Sequence, residues 1–325
     1  MRSEEEPPLN LPLIKGENQK RNRVVTIILG GLLILAVILH FIKSGPASSA
    51  PLGKAGELNK VEIKNLSSGK TFLLVKKNDE WQVFFSTAEN IRIPDGETGY
   101  FADVSKVKRL TGNLSELKFE TVISEDEGRH FYYSVSTANA LSLKVSSRRE
   151  IPEIYIGKSG ADWSHFYARF AAKPQIYLAS GLIRGLITQN EDYYRERKIV
   201  SEDENDIKTL TVEEPGGKKY SVERSSSGWK FDGALVSPEN FAEVSGFSRE
   251  MQAAGFSERE FKEKIKITIE KNDSRSVSWS IGEKEENYYT AVRDGRLGVY
   301  KIPTEKAEKI FVFLDKNGAK RGGRF

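Results

Sequence analysis

An α+β architecture, in which one N-terminal transmembrane helix precedes two tandem β-rich units that each carry a packed helix, is what this 325-residue sequence predicts. Three observations lead there. A 19-residue stretch without a formal charge lies near the start, short alternating strands bounded by turn residues fill the remainder, and the second half repeats the order of the first. The composition, 38% apolar and 30% charged, has the balance of a folded chain and excludes fibrous or wholly disordered classes. With 50 Lys and Arg against 46 Asp and Glu, the net charge of +4 is too small and too dispersed for a dedicated nucleic-acid binder. The absence of cysteine excludes disulfides, thiolate nucleophiles, iron–sulfur clusters and cysteine-based zinc sites.

The apolar stretch occupies residues 24–42, from Val24 to Ile42, between Arg23 and Lys43. As a helix it would be about 28 Å long, close to the hydrocarbon thickness of a bilayer. Lys15, Lys20, Arg21 and Arg23 precede it, whereas Lys43 is the only cation among the ten residues that follow, so the positive-inside rule places the N-terminus in the cytoplasm. A cleaved signal peptide is the competing reading, because small residues follow at 44–50. The length of the apolar core, the long N-terminal tail and Pro51 favour an uncleaved anchor. Residues 1–23 then form a polar cytoplasmic tail, and 43–58, rich in Ser, Gly, Ala and Pro, a flexible linker. The expected partners are the lipid bilayer, through 24–42, and a membrane or envelope protein.

The first unit is expected over 59–200. Val61 to Ile63, Thr71 to Lys76 and Glu80 to Phe85 read as a three-stranded meander with turns at 67–70 and 78–79. Val104, Val107, Leu110 and Leu114 recur at helical spacing, and further strands follow near 117–119, 131–136, 140–145, 153–156, 165–170 and 175–178. The second unit is expected over 206–314. It opens with a similar meander around Trp229, and Ser237-Pro238 supplies an N-cap and a first-turn proline. Phe241, Val244, Phe247 and Met251 then lie 137 residues after the first helical set, and the same offset carries Phe119 onto Phe256. Ile281-Gly282 matches Ile156-Gly157, Tyr289 to Arg293 matches Tyr167 to Arg169, and Tyr300 matches Tyr177. One large mixed α+β domain with a coincidental rhythm is the alternative to a doubled unit. The acidic stretch 201–206 is the natural joint, and 315–325, with Lys316, Lys320, Arg321 and Arg324, reads as a basic tail.

Trp81 after a short hairpin, the helix over 102–114, Ile156-Gly157-Lys158, Tyr167-Ala168-Arg169, Ile176-Tyr177-Leu178 and the run from Asp192 to Arg197 together resemble the bacterial domain-of-unknown-function family numbered 4340. The likeness covers roughly 58–314. It departs from the family pattern at Tyr132 to Ser136, where a Tyr-Gly-Leu turn followed by Pro is expected. The resemblance implies an N-terminal membrane helix followed by one or two such units, and an accessory role beside ABC-type transport or gliding machinery. It supplies no catalytic residues.

Chemical motifs are few. Residues 64–71 end in Gly-Lys-Thr like a phosphate-binding loop, but Lys64 stands where glycine is needed and a strand follows, so a hairpin is expected. His130 and His165 lack ligand spacing, and no metal, cofactor or catalytic residue is assigned. The run 258–264 alternates charge at helical spacing and reads as a solvated face. Trp81 and Trp229 read as hairpin core plugs. Tyr167, Arg169, Tyr289 and Arg293 form the candidate contact surface, because Tyr and Arg dominate interface hot spots. A scaffold or binding protein outside the membrane is the function this predicts. The alternative is a membrane-anchored hydrolase of envelope polymers that uses a carboxylate pair.

Overall fold

The computed structural model describes residues 55–86, 99–147, 151–231, 233–237, 246 and 250–318. The apolar stretch 24–42 lies outside them, and no helix among the described residues is long and apolar enough to cross a membrane. The described chain is mostly β-sheet with few helices.

Alternation of apolar and polar residues builds the first meander from β1 (Lys60–Asn65), β2 (Thr71–Lys77) and β3 (Glu80–Ser86). The β2–β3 turn is Asn78-Asp79 with φ of 48° and 66°, the left-handed pair that a two-residue hairpin requires. After β4 (Tyr100–Phe101), Asp103 caps helix α1 (Val104–Ser115) by accepting from Ser105 N at 3.0 Å and Lys106 N at 3.2 Å. Val107, Leu110, Thr111 and Leu114 bury one face of α1, whereas Val104 is 50% exposed, because the buried stripe starts a turn later than the apolar spacing suggested. Then come β5 (Lys118–Ser124), β6 (Leu141–Ser146), β7 (Ile154–Ser159), β8 (His165–Phe170), β9 (Ile176–Ser180) and a single-turn helix α2 (Arg184–Ile187). The first sheet has nine strands in the order β4-β3-β2-β1-β6-β7-β8-β9-β5.

The second half supplies β10 (Lys198–Val200), β11 (Ile207–Glu213), β12 (Lys219–Ser225), β13 (Gly228–Phe231), β14 (Ala234–Leu235), β15 (Met251–Gln252), β16 (Gly255–Ser257), β17 (Glu263–Lys271), β18 (Ser276–Lys284), β19 (Tyr288–Arg293), β20 (Val299–Pro303) and helix α3 (Thr304–Gly318). Nine of these strands form a sheet in the order β14-β13-β12-β11-β17-β18-β19-β20-β16, which is the first order over again. The ladders match rung by rung. Val61 lies opposite Leu74 and Val145, and Leu210 opposite Val222 and Ile269. Ile156 faces Ala168, which faces Tyr177, just as Ile281 faces Ala291 and Ala291 faces Tyr300.

The same rungs correct two expected correspondences. Phe256 lies opposite Tyr300, a rung that Val122 holds in the first sheet, while Phe119 pairs with Ala179. Tyr289 corresponds to Phe166 and Arg293 to Phe170, so neither matches Tyr167 or Arg169. Met251, expected on a helix, is in β15; most of that expected helix lies outside the described residues. Helix α3 was not foreseen. It continues to Gly318, past the start of the expected basic tail, and packs Ala307, Ile310, Phe313 and Leu314 on the second sheet as α1 packs on the first. Trp81 and Trp229 are partly buried against the two cores, but the fully buried tryptophan is Trp279.

The strand order explains the paired glycines. To pass from edge strand β5 to central β6, the chain must cross the back of the sheet over β7 and β8. There Tyr133 O rests on Gly157: an added Cβ would lie 2.2 Å from it. The β16–β17 connection crosses the second sheet likewise, and a Cβ on Gly282 would lie 2.6 Å from Lys262 O and 2.4 Å from Thr290 Oγ1. Gly157→Ala or Gly282→Ala should therefore lower unfolding stability by about 1–3 kcal/mol. Gly112→Ala, in α1 with nothing within 4 Å, should raise it by about 0.5–1 kcal/mol. Denaturant melts of the three variants check this.

Candidate functional site

The two units meet along the segment that follows α2. Tyr194 is 1% exposed, stacks on Phe72 with ring centroids 5.3 Å apart, and donates from its hydroxyl to Leu186 O at 3.1 Å. Burial pushes its phenol well above the ordinary tyrosine value. Asp103 N donates to Tyr194 O, Glu196 N donates to Phe101 O, and Lys106 Nζ reaches Tyr193 O at 2.8 Å, so the segment is stapled to β4 and the start of α1. One residue further along it serves the other unit: Ala253 N donates to Arg197 O, and β10 pairs with β15.

Arg195 sits where these attachments change sides. Its guanidinium lies 3.9 Å from the centre of the Tyr100 ring and 3.6 Å from that of Phe256, one ring from each unit. Asp192 accepts from Nη1 at 3.0 Å, and the side chain is only 11% exposed. Gly298, at φ 98°, makes room: a Cβ there would meet Arg195 Nη2 at 2.6 Å and Tyr100 Cε1 at 3.0 Å. A second arginine of the far unit, Arg296, lies 3.2 Å over the Phe101 ring and 3.8 Å from Glu80, and burial holds its guanidinium below the usual arginine value. The matched positions away from the joint do not carry this chemistry. Counted along the matched rungs, the counterparts of Tyr100, Phe101, Phe256, Arg296 and Gly298 in the opposite units are Ala234, Leu235, Val122, Lys173 and Gln175.

Beside Arg195 the units enclose a cleft of about 950 Å³. Its apolar lining comes from Ile63, Phe72, Phe85, Leu141, Ile187 and Val299, and its polar wall from the β1–β2 turn, residues 188–190 and residues 257–259. Clefts between domains are the usual place for ligands. The turn is not a phosphate loop, however, because its amides are already used. Asn65 Oδ1 accepts from Ser67 N and Ser68 N, Asn65 O accepts from Gly69 N, and Ser68 Oγ accepts from Lys70 N. Residues 258–262 are the crossing connection rather than a helical face, and Glu258 and Arg259 border the cleft.

The four residues expected to form a contact surface lie elsewhere, and the structure does not bring them together. Tyr167 packs on Tyr133, with centroids 4.5 Å apart, on the back of the first sheet. Arg169 is 6% exposed and pins the crossing chain, donating from Nε to Val135 O at 2.7 Å and from Nη1 to Ala171 O at 2.9 Å and Lys173 O at 3.1 Å. Tyr289 belongs to the second core, against Phe311, and Arg293 shares its side of β19. None of the four lines the cleft. His130 Nε2 lies 2.9 Å from Pro174 O. His165 Nδ1 lies 2.7 Å from Asp162 Oδ1, and Nε2 lies 3.4 Å from Glu120. Among the described residues no group of three His, Cys, Asp or Glu is placed to hold a metal ion.

Fold and joint define a doubled β-sheet protein with one cleft between its halves. The family model described as Domain of unknown function (DUF4340) matches residues 95–264, more than half of the sequence and including Tyr100, Arg195 and Phe256 of the joint, and the chain belongs to this family. No curated protein and no solved structure matches it significantly.

Arg195→Met should cost about 1–3 kcal/mol through two lost cation–π contacts and speed proteolysis between the units, with cleavage mapped by mass spectrometry. The His165 site should make stability depend on pH. Hydrogen bonding to Asp162 raises the imidazole above its ordinary 6.5, while His165 lowers the Asp162 carboxyl from 3.8 to about 2. The stabilisation is complete between about pH 4 and 6.5, fades as pH rises through the raised imidazole value, and fades again as pH falls from 3.8 towards 2. Melting midpoints should therefore drop above pH 6.5 in the native chain, and His165→Asn should flatten that drop.

Proposed function

We propose that this chain is a single-pass, membrane-anchored binding or scaffold protein outside the cytoplasmic membrane, an accessory component of a bacterial envelope system of the ABC-type transport or gliding-like kind. The observation that carries the binding role is the joint: among the described residues, aromatic, arginine and glycine residues converge around a cleft where the two units meet. The hydropathy and flanking charge of 24–42 support the anchor, with the N-terminus inside and both units in the periplasm or its equivalent. Anchoring works through effective concentration, since the linker confines the cleft within reach of proteins in the same membrane. A hydrolase is the second reading, favoured by the two carboxylates, Asp192 and Glu258, that border one cleft.

Two measurements test the proposal. A periplasm-active reporter fused after Phe325 should be active, and activity of a cytoplasm-only reporter would overturn the topology. A photo-crosslinker at Asn190 in intact membranes should capture a membrane or envelope protein, and capture should persist in Asp192→Asn/Glu258→Gln. Turnover of envelope glycan by the native chain, lost in that double variant, would favour the hydrolase.

A further inference from the structure

Resting on the membrane-anchored reading, we propose that the β7–β8 hairpin end and the back of the first unit form a surface that lies against the lipid headgroups of the bilayer holding the chain. Four of the five most exposed large apolar side chains among the described residues are found there: Trp163 is 97% exposed, Phe131 68%, Tyr132 67% and Leu182 62%. Strand pairing brings them to one part of the sheet. Trp163 tips the β7–β8 hairpin, and the bond from Gly181 N to Ser164 O, one rung past His165 and Ser180, sets Leu182 across from it. Phe131 and Tyr132 ride on the crossing chain, and Lys158 of β7 holds its ammonium 3.6 Å from the centre of the Tyr132 ring.

The matching end of the second unit has the opposite character. Along the matched rungs Lys158, Trp163 and Leu182 correspond to Glu283, Glu286 and Glu305, all exposed. The same fold thus presents a lysine, a tryptophan and a leucine in the first unit and three carboxylates in the second. Anionic headgroups attract the lysine and repel the carboxylates. Tryptophan and tyrosine, apolar in body and polar at the tip, settle at the boundary between headgroups and acyl chains. Asp162, the acidic residue of the first hairpin, is held by Ser164 and His165. Chain length agrees with this occupant. The 12 residues 43–54 between the apolar stretch and Ala55 span at most about 40 Å, so the unit with the aromatic end is the one confined beside the bilayer.

The test places nitroxide labels on the full chain in vesicles of phosphatidylethanolamine and phosphatidylglycerol, since the sequence has no cysteine of its own. Ala161→Cys carries the label beside Trp163, Glu286→Cys on the matching hairpin and Leu33→Cys in the apolar stretch. Oxygen, which concentrates in lipid, should relax the label at position 161 severalfold more, relative to a water-soluble nickel chelate, than the label at position 286. Adding Tyr132→Ser, Trp163→Ser and Leu182→Ser together should abolish that difference. All three side chains are exposed, and an unchanged melting midpoint would show that the fold survives. Three results would each overturn the assignment: labels at 161 and 286 that relax alike, a label at 161 shielded from both agents as by a protein or a second copy, or a difference that outlasts the triple substitution. The label at position 33 reports separately. If it is open to nickel, the anchored reading fails and this one with it, whereas a lipid-buried label at 33 beside an aqueous one at 161 removes only the headgroup contact.

Discussion

The two halves are joined through arginines set against aromatic rings, Arg195 beside a ring from each half and Arg296 over Phe101. Arg195 lies against both the Tyr100 and the Phe256 ring, and its backbone belongs to the strip that bonds first to one sheet and then to the other. An arginine is suited to this position because its guanidinium is flat, remains charged when partly buried and presents both faces to aromatic partners. A lysine would offer a point charge to one ring at a time. The same contact shapes the cleft, since the ring of Tyr100 and the missing side chain of Gly298 determine how closely the far unit approaches.

Inside each unit the governing constraint is topological. A strand at the sheet's edge is followed by one at its centre, and the chain between them must lie across the back. The steric signature of that crossing is a glycine under a carbonyl, and it occurs at Gly157 and again at Gly282. Arg169 secures the crossing of the first unit through four carbonyl oxygens, that of Val135 and those of Phe170, Ala171 and Lys173. Its conspicuous place in the sequence reflects this structural work.

Much of the β framework could be read from the sequence because its signals are local. Alternation marks β1 to β3, Asn78-Asp79 marks a tight turn, and the Ile-Gly pairs mark equivalent positions of the two halves. Register was harder. A constant offset places Phe256 beside Phe119 in sequence, yet hydrogen bonding sets it opposite Tyr300, on the rung of Val122: the offset read from the helical positions does not hold in the strand, and a bulge between Phe119 and Thr121 adds one residue more. The cleft was not visible at all. It is assembled from the β1–β2 turn, residues 187–195 and the far unit's residues 257–259 and 298–299, and no spacing rule connects such distant stretches. Tyr167, Arg169, Tyr289 and Arg293 attracted notice through residue type, which does not distinguish a side chain that binds partners from one that ties down its own backbone.

The doubling is also directional. A module whose front edge grips the rear edge of the next could in principle continue into a fibre of identical links. Here the rear-facing β14 offers Ala234 and Leu235 where the gripping surface has Tyr100 and Phe101, and the leading strand β5 is kinked by bulges and carries Glu120 on its exposed side. Among the described residues neither outer edge carries the chemistry found at the seam, so the contact between the units has a definite front and back.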